Sequence, residues 1–169
     1  MNRKGFSLIE LIVVIAIIGI LLAIATLNFN NWMTRQNIDR EVKEMHADIM
    51  SMRQRAIATG QNYEVTFPDA GTLLFKRYSS EGDTRGTEGT IVQRKNLRYP
   101  VTLSSAGPIE FNERGMMVGA TEKILCIFTD ANPASDALVI TPSRVSMGRI
   151  KDQGSKNAAA CTNDKIEIK

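Results

Sequence analysis

One histidine, one tryptophan, two cysteines and five prolines are all that 169 residues contain of those types, and aromatic residues make up only 6%. The scarcity excludes much. His46 stands alone beside an apolar helical seam, with no second histidine or thiol near it in sequence, which is the setting of a packing or surface residue rather than a metal ligand. No triad assembles around it, and there is no G-x-S-x-G, no P-loop and no H-E-x-x-H, so the sequence offers no catalytic constellation, metal site or cofactor. Neither sign of charge dominates: 21 basic against 18 acidic residues leave a net +3, which permits attraction to acidic polymers without requiring it.

What the chain does have is one long apolar run. From Phe6 to Phe29 a single charge, Glu10, interrupts about 24 residues, enough at about 1.5 Å per residue to cross a hydrocarbon core of about 30 Å. Arg3 and Lys4 precede the run and no basic residue follows until Arg35, so the positive-inside bias predicts a cytoplasmic amino end with the remainder exported. A released protein is the competing reading, with "AIA" at Ala23 to Ala25 as a signal-peptide cleavage site and a mature start at Thr26. Against it, the apolar stretch exceeds the usual h-region, and Glu10 falls at its start. A carboxylate in that position costs roughly 3 kcal/mol on insertion scales and marks a functional site.

After "NFNNW" the apolar positions Ile38, Val42, Met45, Ile49, Met52 and Ala56 recur every three or four residues, with Arg40, Lys43, Glu44 and Asp48 off the seam. The same helix therefore continues outward to Thr59 and stops at Gly60, a rod of roughly 80 Å. Gly19 and the run Asn28, Asn30, Asn31 are weak helix formers, where bending or local melting is expected. Beyond Gly60 the period becomes alternating. "NYEVTF", "PDAG" and "TLLFKRY" read as a hairpin, and further strands are expected at "TIVQRK", "YPVTL", "IEFNERGMMV", "KILCIF", "ALVITPSRVSMGRI" and "KIEIK". The fold class is α+β, a β-rich antiparallel head packed on the apolar stripe of the helix. Cys126 and Cys161 both lie in the exported part, where a disulfide would close a loop of about 34 residues and add roughly 3–4 kcal/mol; two buried free thiols are the alternative.

"RKGFSLIELIVVIAIIGILLAIA" resembles the class III signal of type IV pilins and type II secretion pseudopilins: a short basic leader, Gly5, the aromatic Phe6, then Glu10 inside the helix. The resemblance implies the type IV pilin fold. It also implies cleavage by a prepilin peptidase between Gly5 and Phe6, with N-methylation of Phe6. The expected organisation is a leader 1–5, a transmembrane half-helix 6–29, an amphipathic half-helix 30–60 and a head 61–169. A cut at Gly5 would leave an α-amine on Phe6 with Glu10 four residues along the same face, in the first turn. In a filament, Glu10 of one subunit would meet the Phe6 amine of a neighbour, offsetting the desolvation of both charges at one axial register. The implied partners are the peptidase, other minor and major pilins or pseudopilins, and the inner membrane. The implied location is that membrane, single-pass with the head periplasmic, and then the pilus or pseudopilus.

The passage "MRQRAIATGQNYEVTF" and the late hairpin "ALVITPSRVSMGRIK" resemble the GspH/FimT-type group, whose members are low-abundance subunits that prime assembly at the filament tip. Some members of that group bind DNA through a basic carboxyl-terminal motif. "GRIK", Gly148 to Lys151, is similar to it with lysine in place of the last arginine, so Arg144, Arg149 and Lys151 are candidate phosphate contacts. Arg94, Lys95 and Arg98 around Tyr99 form a second basic group. "DANPASD", Asp130 to Asp136, reads as a plain turn rather than a calcium loop, and "GDTRGTEGT", Gly82 to Thr90, as a head loop.

Overall fold

The computed structural model describes residues 7–78, 89–119, 122–151 and 158–168, with the side chains of 24–28 and 158 excepted. Its first element, α1, is one unbroken helix, Leu8–Thr59. It passes through Gly19 and the asparagine run without local melting, contrary to expectation. A cost of about 1 kcal/mol or less per weak helix former does not outweigh a cooperative ladder that continues on both sides. Termination is as the sequence predicts: Gly60 adopts φ 63°, a left-handed conformation that costs glycine nothing, and its N–H donates to the Ala56 carbonyl.

Among the described residues nine strands follow: β1 (Asn62–Asp69), β2 (Thr72–Tyr78), β3 (Thr90–Asn96), β4 (Thr102–Leu103), β5 (Ile109–Phe111), β6 (Lys123–Cys126), β7 (Ala137–Ile140), β8 (Val145–Ile150) and β9 (Ile166–Ile168). They form two antiparallel sheets, ordered β3-β2-β1-β5 and β4-β6-β7-β8-β9. The hairpin expected at "PDAG" is β1–β2, where the Asp69 side chain accepts from the Gly71 N–H. "IEFNERGMMV" is not one strand. Asn112 turns the chain at Arg114 and Gly115, and Met117 comes back to bridge Phe111.

Both sheets close on the helical seam, whose six residues Ile38, Val42, Met45, Ile49, Met52 and Ala56 are at most 1% exposed. Burial of each larger side chain contributes about 1.5–3 kcal/mol. Tyr63, Val65, Leu73, Phe75, Ile109 and Phe111 meet the seam from the first sheet, and Leu125, Leu138 and Ile140 from the second. A smaller core occupies the far face of the second sheet, where Ile124, Ala137, Val139, Ile150 and Ile166 surround the Cys126–Cys161 disulfide. Covered on both faces, β7 is buried at all four positions. On the far face of the first sheet, Glu64 pairs in register with Lys76 and Glu110, all three buried, and the Tyr78 hydroxyl donates to Glu64.

Candidate functional site

The amino-terminal third of α1 has no head to pack against. Its large apolar residues from Leu8 to Leu22 are 43–76% exposed, one continuous oily surface on an otherwise ordinary fold. Exposed apolar surface on this scale marks a lipid or protein contact. Ser7 is extended ahead of the helix, with φ −73° and ψ 142°, and its carbonyl accepts the Leu11 N–H at 3.2 Å. Glu10 lies in the first turn, exposed, at the end where the helix dipole favours an anion. Gly5 and Phe6, the expected cleavage and methylation positions, lie outside the described residues. Among the described residues no helix is long and apolar enough to cross a membrane, and the described side chains of the apolar run end at Ala23.

Above the run the helix changes character within two turns. Phe29 and Trp32 are exposed with ring centroids 5.9 Å apart, and Ile38 is the first residue of α1 fully buried in the head core. From there upward polar contacts fix the helix to the head. Lys95 of β3 reaches Asp48 at 2.7 Å and Glu44 at 3.1 Å. Burial opposes its charge, but the two carboxylates outweigh burial and hold the ammonium above its ordinary range. Glu41 accepts the backbone N–H groups of Arg98 and Tyr99, at 2.6 and 3.5 Å, while burial pushes its carboxyl above the usual value. Half-buried His46 places Nε2 3.3 Å from the Val145 carbonyl oxygen, a packing role.

The candidate basic residues do not form one cluster. Arg144 lies in the β7–β8 turn, where its N–H and carbonyl engage Thr141, and Arg149 and Lys151 lie at the other end of β8. Five residue steps along the chain separate Arg144 from Arg149, about 16 Å in extended strand. Arg149 donates to the side chain of Asn132, and Lys151 to the carbonyl of Asp164 at 3.2 Å. In the second group Lys95 braces the helix, and Arg98 lies 5.9 Å from the Tyr99 ring centroid. Asp136 of the "DANPASD" loop is fully buried and accepts the Ile150 N–H, so its carboxylate holds the loop against β8. Among the described residues no group of three His, Cys, Asp or Glu side chains is placed to hold a metal. The expected loop from Gly82 lies mostly outside the described residues.

Residues 1–26 match the family model of the prokaryotic N-terminal methylation motif. The type IV major fimbrial protein FimA of Dichelobacter nodosus is 33% identical over 113 residues, covering 63% of this chain and 69% of that protein. The chain belongs to the type IV pilin and pseudopilin family. A fimbrial protein of Pseudomonas aeruginosa is 42% identical to this pilin-family chain over 100 residues, 53% of the chain and 64% of the relative. In fold, it is similar to the crystal structure of the type IV minor pilin FimU of Pseudomonas aeruginosa PAO1, with a TM-score of 0.52 at 14% identity, over 73% of this chain and 95% of that one. The fold is thus the type IV pilin fold. Glu41, which accepts backbone N–H groups of the pilin head, carried no motif in the sequence.

Proposed function

We propose that the chain is a minor pilin or pseudopilin: a non-enzymatic structural subunit, processed by a prepilin peptidase, that primes filament assembly and sits at or near the tip. The observation that carries this reading is Glu10, a single exposed carboxylate in the first turn of a bare apolar helix, within the matched methylation motif. Before assembly that helix anchors the precursor in the inner membrane, with the head outside. In the filament the Glu10 carboxylate docks on the Phe6 amine of a neighbouring subunit, and each charge offsets the other's burial. A head of the FimU fold supports the low-copy role.

The test is Glu10→Ala in the native host. The variant is expected to be processed and to accumulate in the membrane, but to be lost from sheared filaments or pseudopili. Equal incorporation would overturn the docking role. Mass spectrometry of the wild-type amino terminus is expected to find N-methylated Phe6. Counting copies per filament decides the minor role: an abundance equal to that of the bulk subunit would overturn it.

A further inference from the structure

Where the stalk enters the head, a cleft of about 480 Å³ opens between α1 and the loop after β6, lined by Trp32, Arg35, Gln36, Asp39, Asn132, Pro133, Ala134 and Arg149. Helical spacing of three and four puts Trp32, Arg35 and Asp39 on one face of α1, and the head supplies Arg149 from β8 across the gap. Asn132, held at φ 55°, accepts from the Arg149 guanidinium and fixes it at the rim. Asp39 does not cancel the two arginines, because its Oδ2 accepts from Lys43 at 2.5 Å. The other oxygen of this nine-tenths-buried residue, Oδ1, has no hydrogen-bond partner. The cleft therefore offers two guanidiniums suited to a phosphate, with the Asp39 side chain, one oxygen of which is enclosed without a partner, roughly 6 Å along the helix from Arg35.

We propose that this cleft binds the phosphoethanolamine head group of a membrane phospholipid, with the phosphate on Arg35 and Arg149 and the ammonium directed to Asp39. The position favours a lipid over other phosphates. Trp32, exposed beside Phe29 at the top of the apolar run, is a residue type that settles at the headgroup level, and Arg35 lies about 5 Å further along the helix. One occupied site would hold the lower rim of the head against the bilayer until the subunit is extracted into the filament. The proposal rests on the anchored precursor described above.

The experiment uses the full chain in nanodiscs of phosphatidylcholine carrying either phosphatidylethanolamine or phosphatidylglycerol as minor component. Two quantities are read: the lipid that remains with the protein after detergent extraction, and quenching of Trp32, the chain's single tryptophan, by a head-group nitroxide. Wild type is expected to retain phosphatidylethanolamine at least fivefold over the other two lipids. Arg35→Gln with Arg149→Gln is expected to abolish that excess, Arg149→Lys to reduce it, and Arg144→Gln, outside the cleft, to leave it unchanged. Equal melting temperatures establish that the variants fold. Equal retention of all three lipids, a preference for phosphatidylglycerol, or an undiminished excess in the double variant overturns the site. Displacement by a short DNA duplex or by millimolar inorganic phosphate also overturns it, in favour of a general phosphate site. Unquenched Trp32 in wild type overturns the anchored reading and the site together, whereas quenched Trp32 with an unaltered double variant removes the site alone.

Discussion

Gly148 shows how a residue that looks like part of a binding motif can have a packing reason. A Cβ there would run into Ile166 of β9 and come within 3.2 Å of the Glu167 carbonyl oxygen, so only glycine lets β8 and β9 pair closely. Gly148→Ala is expected to cost about 1–3 kcal/mol in chemical denaturation, the range for overpacking. Glu41 makes a separate prediction. Burial is the largest influence on its carboxyl and lifts it above the ordinary value of 4.5, so the folded head holds this proton more tightly than the unfolded chain. The resulting stabilisation is complete below pH 4.5 and is lost as pH rises through the raised value. Glu41→Gln keeps an acceptor for the Arg98 and Tyr99 amides without the charge. Relative to wild type it is expected to gain stability between pH 4 and 7, read by thermal melts across that range. Neither role was legible beforehand: Glu41 meets Arg98 and Gly148 meets Ile166 only through tertiary packing.

Among the elements, those with a strong local period were legible. The seam from Ile38 to Ala56 predicted the buried face of α1, Gly60 predicted its end, and the turn residues Pro68 to Gly71 predicted the β1–β2 hairpin. Sheet order was not legible, because β5 joins β1 across more than thirty intervening residues and nothing local encodes that pairing. Nor was the break inside "IEFNERGMMV", where the Asn112 side chain accepts two backbone N–H groups and turns the strand back on itself. The Cys126–Cys161 bond fastens the short β9 and its preceding 3₁₀ turns to the far face of the second sheet. Replacing both cysteines with alanine is expected to destabilise the head by about 3–4 kcal/mol in urea titration.

At the scale of the whole molecule, one helix serves two environments, and the division falls near Trp32. Below it the large apolar side chains from Leu8 to Leu22 are exposed; above it the seam from Ile38 to Ala56 is enclosed by both sheets. The chain begun at Asn28 is therefore expected to fold as a soluble monomer and to melt at the same temperature as the full chain in detergent, because the core residues of α1 start at Ile38. The cleft of Trp32, Arg35 and Arg149 belongs to this scale as well. Its two arginines are more than a hundred positions apart in sequence, and only the packing of β8 against α1 brings them to one cleft.

The uninterrupted 52-residue helix, about 78 Å long, leaves no hinge between shaft and globule. A twist or pull applied to the globular end is delivered to the oily end without slack, so that grafting a flexible glycine linker at Asn30 would uncouple tension on the fibre from the subunit's seat within it.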